Sequence, residues 1–158
     1  NRAHNADMAL ESLEAARQAG IHNFSVDLIY GMPNSTQASW QFNLDKAAAL
    51  GATDLSAYAL TVEEKTALHH RIQQGLIAMP SDEEIVRQFD QLRHWAANQS
   101  FVHYELSNFA KEGYHSRHNS SYWEGIPYLG IGPGAHGFDG QSRYWNIANN
   151  VLYAKGQQ

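Results

Sequence analysis

Apolar positions in the first two thirds of the chain switch between two periods, and the switching defines the elements. From Asn5 to Ala19, Ala9, Leu13 and Ala16 recur on one side while Glu11, Glu14, Arg17 and Gln18 fall largely on the other, which predicts an amphipathic helix. Asn5 is placed to cap it and Gly20 to stop it. Phe24 to Ile29 then alternates as a strand, with Phe24, Val26 and Leu28 facing one way and Ser25, Asp27 and Ile29 the other. After a loop from Tyr30 to Pro33, Asn34-Ser35-Thr36 caps a second helix that runs to Leu50 with Trp40, Leu44 and Ala47 on one stripe, and Gly51 ends it. Asp54 to Leu60 repeats the strand pattern, with Leu55, Ala57 and Ala59 on one face and Ser56, Tyr58 and Leu60 on the other. Two strands beginning about thirty residues apart with a helix between them make a βαβ unit and therefore a parallel pair.

A long connection, Thr61 to Pro80, precedes a capping box at Ser81-Asp82-Glu83-Glu84. Ile85, Phe89, Leu92 and Ala96 mark the helix that follows, to about Asn98. Val102 to Leu106 reads as one more strand, with Val102, Tyr104 and Leu106 on one side and His103 and Glu105 on the other. Each strand carries an apolar face and a face with polar groups. That suits a closed parallel barrel, whose inward side is polar where it approaches a ligand, and it points Asp27 and Glu105 into one interior. An open doubly wound sheet is the alternative, but its strands are covered on both faces and read as continuous apolar runs.

The chain has 158 residues, enough for one domain with a core and too few for two. A net charge of −5 with no basic run argues against a nucleic-acid surface. No apolar run approaches the ~20 residues of a membrane span and no signal peptide is legible, so a soluble, cytoplasmic protein is expected. Cysteine is absent, which removes disulfides and thiolate ligands from these residues. The chain opens on Asn1 without a leader and stops in LYAKGQQ, from which we expect a fragment with sequence missing at both ends.

The chemistry concentrates between Phe101 and Asp139, where His103, His115, His118 and His136 are interleaved with tyrosines, a tryptophan and glycines. Buried polar tips need partners and glycine adds no packing, so this stretch reads as the lining of a site for something flat and mostly apolar. A solvated loop packing its aromatics on the domain beneath is the alternative. Asp27, late on a parallel strand, implies a partner such as a ribose hydroxyl, an ammonium group or Arg2, with a structural ion pair as the alternative. Glu105 with His103 has a similar balance. Gly130 to His136 allows close backbone approach but lacks the Lys and Ser/Thr of a phosphate loop. His118 and His136 are candidate ligands or hydrogen-bond donors, and the pair His69-His70 reads as solvated surface.

Five stretches, FSVDLIYGMP, LSAYALT, HYELSNFAK, HNSSYW and YLGIGPGAH, together resemble the radical S-adenosylmethionine (SAM) family of oxygen-independent coproporphyrinogen III oxidases. The HNxxYW pattern at His118 to Trp123 resembles the branch of HemW-type heme chaperones. The resemblance implies the α/β class, with the last strands of a parallel (β/α)6 radical SAM barrel followed by the start of a C-terminal region. It divides the chain into residues 1–100, the C-terminal half of the barrel, and 101–158, the final strand, the HNxxYW run and the glycine-rich segment. It assigns Arg2 and Asp27 to SAM, with Thr61 and His136 as two further contacts. For heme it implies His118, Asn119, Tyr122 and Trp123, with His118 the iron ligand.

The family's three-cysteine loop, which holds a [4Fe-4S] cluster, has no counterpart here, and without the cluster these residues alone generate no radical. Two functions follow from the resemblance. One is a heme carrier that passes heme to an unknown acceptor protein. The other is an oxidase that decarboxylates porphyrinogen propionates by radical chemistry. Neither reading decides whether SAM is cleaved. A third function, unrelated to the resemblance, is a barrel hydrolase using Asp27 and Glu105. A half-barrel leaves one strand edge open, and pairing of that edge with another copy or with the missing half of the barrel is expected.

Overall fold

The computed structural model describes residues 5–156. Arg2 and its assignment therefore lie outside the described residues. Two compact units divide after His115.

The first unit holds four helices and four strands: α1 (Ala6–Gln18), β1 (Ser25–Tyr30), α2 (Gln37–Ala49), β2 (Asp54–Ala59), α3 (Ala67–Gln73), α4 (Asp82–Asn98), β3 (Phe101–His103) and β4 (Asn108–Lys111). The helix starts follow the sequence signals. Asn5 caps α1 by accepting from the Met8 N–H at 2.9 Å, and Ser81 and Glu84 form the expected reciprocal capping box on α4. The sheet runs in the order β1-β2-β4-β3. β1 and β2 are parallel, with Asp27 opposite Ser56 and Ile29 opposite Tyr58, as the βαβ pattern requires.

One face of this sheet packs on α2 and α4. Trp40, Leu44, Leu55, Leu92, Trp95, Phe101 and Phe109 form the core, with Val26 and Leu28 of β1 against it. The tryptophans are admitted because each indole N–H has an acceptor: Trp40 donates to the Gln88 carbonyl at 2.9 Å and Trp95 to Asp45 at 2.8 Å. The opposite face carries Ser25, Asp27 and Ile29 of β1, all exposed, beside Asp54, Ser56 and Tyr58 of β2.

Residues 101–111 depart from the expected single strand. The chain reverses after His103, and β4 returns antiparallel between β2 and β3. The turn is held locally: Glu105 accepts from the Ser107 N–H at 2.7 Å, and Ser107 O accepts from Ala57 N at 2.7 Å. Glu105 is thus a turn residue, so the reading that pointed it with Asp27 into one interior is corrected, and the hydrolase dyad goes with it. His103 faces the helices instead, stacked on Phe109 at 4.1 Å with Phe89 edge-on at 6.0 Å. The connection before α4 also contains α3, capped by Thr66; His70 on it is exposed and His69 half-buried.

The second unit contains α5 (Arg117–Trp123), β5 (His136–Phe138), β6 (Arg143–Trp145) and α6 (Asn150–Ala154). β5 and β6 form an antiparallel hairpin, extended by a bridge between Tyr128 and Phe138. Asp139 closes the hairpin by accepting from the Ser142 and Gln141 N–H groups, which holds its carboxyl below the usual range. Among the described residues no helix is long and apolar enough to cross a membrane.

Candidate functional site

On the open face of the first sheet, the two ends of the parallel strands differ. Near their N-termini the face is closed: Asp54, 4% exposed, accepts from Ser25 at 2.7 Å and from the Tyr104 hydroxyl at 2.9 Å. The Tyr104 ring stacks on His115 at 4.6 Å. Full pairing of both carboxylate oxygens is what lets an aspartate sit there buried. Toward the C-termini the face opens. Asp27 is exposed and, among the described residues, its carboxylate makes no hydrogen bond or ion pair. Thr61 is exposed just beyond the end of β2. Parallel α/β sheets bind ligands at this end.

The loop after Asp27's strand is fixed from behind by a residue that sequence reasoning passed over. Gln88 of α4, 3% exposed, accepts from the Gly31 N–H at 2.8 Å and donates to Ser35 at 3.0 Å. Its signal was a glutamine on the buried stripe of an amphipathic helix, where a polar group needs a fixed partner.

In the second unit the HNxxYW run forms α5. Ser116 caps it by accepting from Asn119 N–H at 3.2 Å, and Gly125, at φ +66°, takes the left-handed turn that ends it. Helical spacing puts His118 and Tyr122 on one side. Their rings meet edge to face at 5.0 Å, and the Tyr122 hydroxyl lies 3.3 Å from His118 Nε2. Tyr122 in turn meets Tyr128 at 4.9 Å. His118 is exposed and Asn119 half-buried, while Trp123 is 62% exposed. The other imidazole, His136, opens β5 and is exposed, with Trp145 as its ring neighbour at 6.1 Å.

Sequence reasoning flagged the glycine segment 130–134 but not what surrounds it. Leu129, Ile131 and Trp145 are large, apolar and 70–80% exposed, while Asn146 and Tyr153 hydrogen-bond the segment's backbone. A second unit that leaves so many large apolar side chains in water has the composition of a binding surface. It offers imidazole and tyrosine as polar contacts amid flat hydrophobic area. Among the described residues no cluster of three His, Cys, Asp or Glu forms a metal site. A [4Fe-4S] cluster needs several thiolates, and a chain without cysteine does not fit that group. A single exposed imidazole beside aromatic rings has the donor chemistry that would hold a heme iron.

The fold is similar to part of a solved radical SAM protein. It matches the coproporphyrinogen III oxidase HemN of Escherichia coli with a TM-score of 0.72 at 20% identity, over 99% of this chain and 40% of that one. No family model matches the chain. In sequence it is 35% identical over 155 residues to the heme chaperone HemW of Mycobacterium tuberculosis, covering 98% of this chain and 40% of that protein. It is 35% identical over 146 residues to HemW of Bacillus subtilis, covering 92% of this chain and 38% of the relative. It is also 39% identical over 136 residues to the mouse mitochondrial radical S-adenosyl methionine domain-containing protein 1, covering 86% and 31%. The chain therefore spans about 40% of the length of the first of these relatives. Over that part it is similar in sequence to heme chaperones and to a mitochondrial radical SAM domain-containing protein, and similar in fold to a coproporphyrinogen III oxidase.

Proposed function

We propose that this chain supplies the heme-binding surface, and part of the SAM-binding surface, of a radical SAM heme chaperone. The observation that carries the proposal is the exposed His118–Tyr122 pair, set among aromatic side chains that the second unit leaves uncovered. A neutral imidazole offers one lone pair to iron, and Trp123 and Tyr122 offer flat apolar area to a macrocycle. Asn119 completes the segment and, half-buried, can donate or accept at the edge of the ring. Heme is here cargo, to be passed to an acceptor protein, and exposure of its ligand suits a carrier better than a buried redox centre.

In the first unit, Asp27 and Thr61 stand at the ligand-binding end of the parallel strands and are the proposed SAM contacts. Arg2 and His136 keep that assignment from the resemblance. When bound with a cluster, SAM supplies radical chemistry; the thiolates for that cluster would come from outside these 158 residues. The oxidase reading rests on a likeness of fold, and the sequence relatives favour the chaperone. The test is titration of the chain with ferric heme, read by Soret absorbance. We expect saturation at one heme per chain. Linear, unsaturable absorbance equal to that of free heme would reject the reading.

A further inference from the structure

The glycine segment of the second unit is held by contacts from outside itself. Asn146 aims its amide nitrogen between two carbonyls, at 3.0 Å from Gly130 O and 2.9 Å from Gly132 O. The Tyr153 hydroxyl accepts from the Gly132 N–H at 3.0 Å. Two backbone bonds, Asn146 N–H to Ala135 O at 2.9 Å and Gly134 N–H to Ile147 O at 3.1 Å, tie the same segments together. Gly130 lies so close to the His136 backbone that a Cβ would overlap the His136 carbonyl.

Glycine-rich backbone loses more conformational freedom on ordering than any other, so an unclamped segment of this composition stays mobile. Here the clamp gives Leu129 and Ile131, 73% and 80% exposed, a fixed base. Beside them lies a cleft of about 550 Å³ lined by Leu129, Ile131, Tyr144 and Tyr153, with no charged side chain on its wall among the described residues. A rigid frame that presents apolar side chains to water is what a pre-organised surface needs, because the ordering cost is met before the ligand arrives.

We propose that Asn146 is a positioning residue for heme: it fixes the 130–134 segment so that Leu129 and Ile131 receive the uncharged face of the macrocycle. The inference rests on the heme reading above and adds the part of the surface that grips the ring, as distinct from the imidazole that binds iron. An uncharged wall suits the porphyrin plane and leaves the propionates outside it.

The test compares ferric heme titrations of the wild-type chain, Asn146→Asp and His118→Ala. Aspartate is isosteric with asparagine but turns the shared donor into an acceptor facing two carbonyls, so the segment is released without a change of size. Asn146→Asp is expected to raise the heme dissociation constant roughly tenfold with the Soret maximum unchanged, while amide exchange over residues 131–135 accelerates. His118→Ala is expected to move the Soret maximum. A role confined to stability would speed exchange and leave the affinity of the folded chain where it was, and that result overturns the proposal. Should Asn146→Asp fail to fold, Tyr153→Phe removes only the acceptor for Gly132 N–H; a loss of roughly threefold supports the clamp and no loss overturns it. Wild-type chain that binds no heme defeats the heme reading and this inference together. Binding that is sensitive to His118→Ala but indifferent to Asn146→Asp and Tyr153→Phe defeats the inference alone.

Discussion

His118→Ala is expected to weaken ferric heme binding by more than the roughly 10–100-fold that losing a hydrogen-bonding partner of a ligand costs a metal site. The reason is chemical. The variant removes the imidazole lone pair itself, and Tyr122 cannot replace it without leaving its edge-to-face contact with Tyr128. In the free chain the Tyr122 hydroxyl lies 3.3 Å from His118 Nε2, an exposed contact that water can take over when iron claims that nitrogen. Tyr122→Phe is therefore expected to keep the Soret maximum of the wild type, whereas His118→Ala shifts it. Equal affinity and an identical spectrum for His118→Ala would show that another group holds the iron.

Trp40→Ala is expected to cost the first unit about 3–5 kcal/mol, a large share of the ~5–15 kcal/mol that holds a domain folded. Trp40 is 2% exposed on α2, donates to the Gln88 carbonyl of α4 at 2.9 Å, and meets Tyr30 at the end of β1 at 5.8 Å. Truncation opens a cavity where two helices and the sheet meet, and it leaves a buried carbonyl without that donor. Because Gln88 also holds Gly31, the loop after the strand that bears Asp27 loses order with it. Urea unfolding followed by far-UV circular dichroism measures the effect; a loss below about 1 kcal/mol would mean that α2 does not close this core.

How much of this was legible depended on the range of the interactions involved. β1 and β2 are visible because alternation, a capped helix and a glycine stop all agree over one βαβ unit, and the same alternation put Asp27 on the open face. The β3–β4 hairpin was not, since its turn, Tyr104 to Ser107, has no Gly, Pro or Asn to mark it. What closes that turn is the carboxylate of Glu105 on a backbone N–H two residues away, a contact that leaves no periodic trace. Likewise α3 is only seven residues long, too short for its apolar spacing to stand out in the connection. At the site, the HNxxYW run drew attention by composition, and its meaning came from helical spacing: once α5 exists, His118 and Tyr122 must meet. The glycine segment was conspicuous too. Its clamp was not, because Asn146 lies 14 and 16 residues from the carbonyls it bonds and nothing local links them.

Hydroxyl-radical footprinting of the chain with and without ferric heme tests the account most directly, since it reads which side chains the ligand covers. The account predicts that heme protects Tyr122 and Trp123 on α5 while Phe42 and Tyr58, exposed in the first unit, oxidise as before. Protection of Phe42 or Tyr58 with Tyr122 and Trp123 still open to oxidation would contradict it.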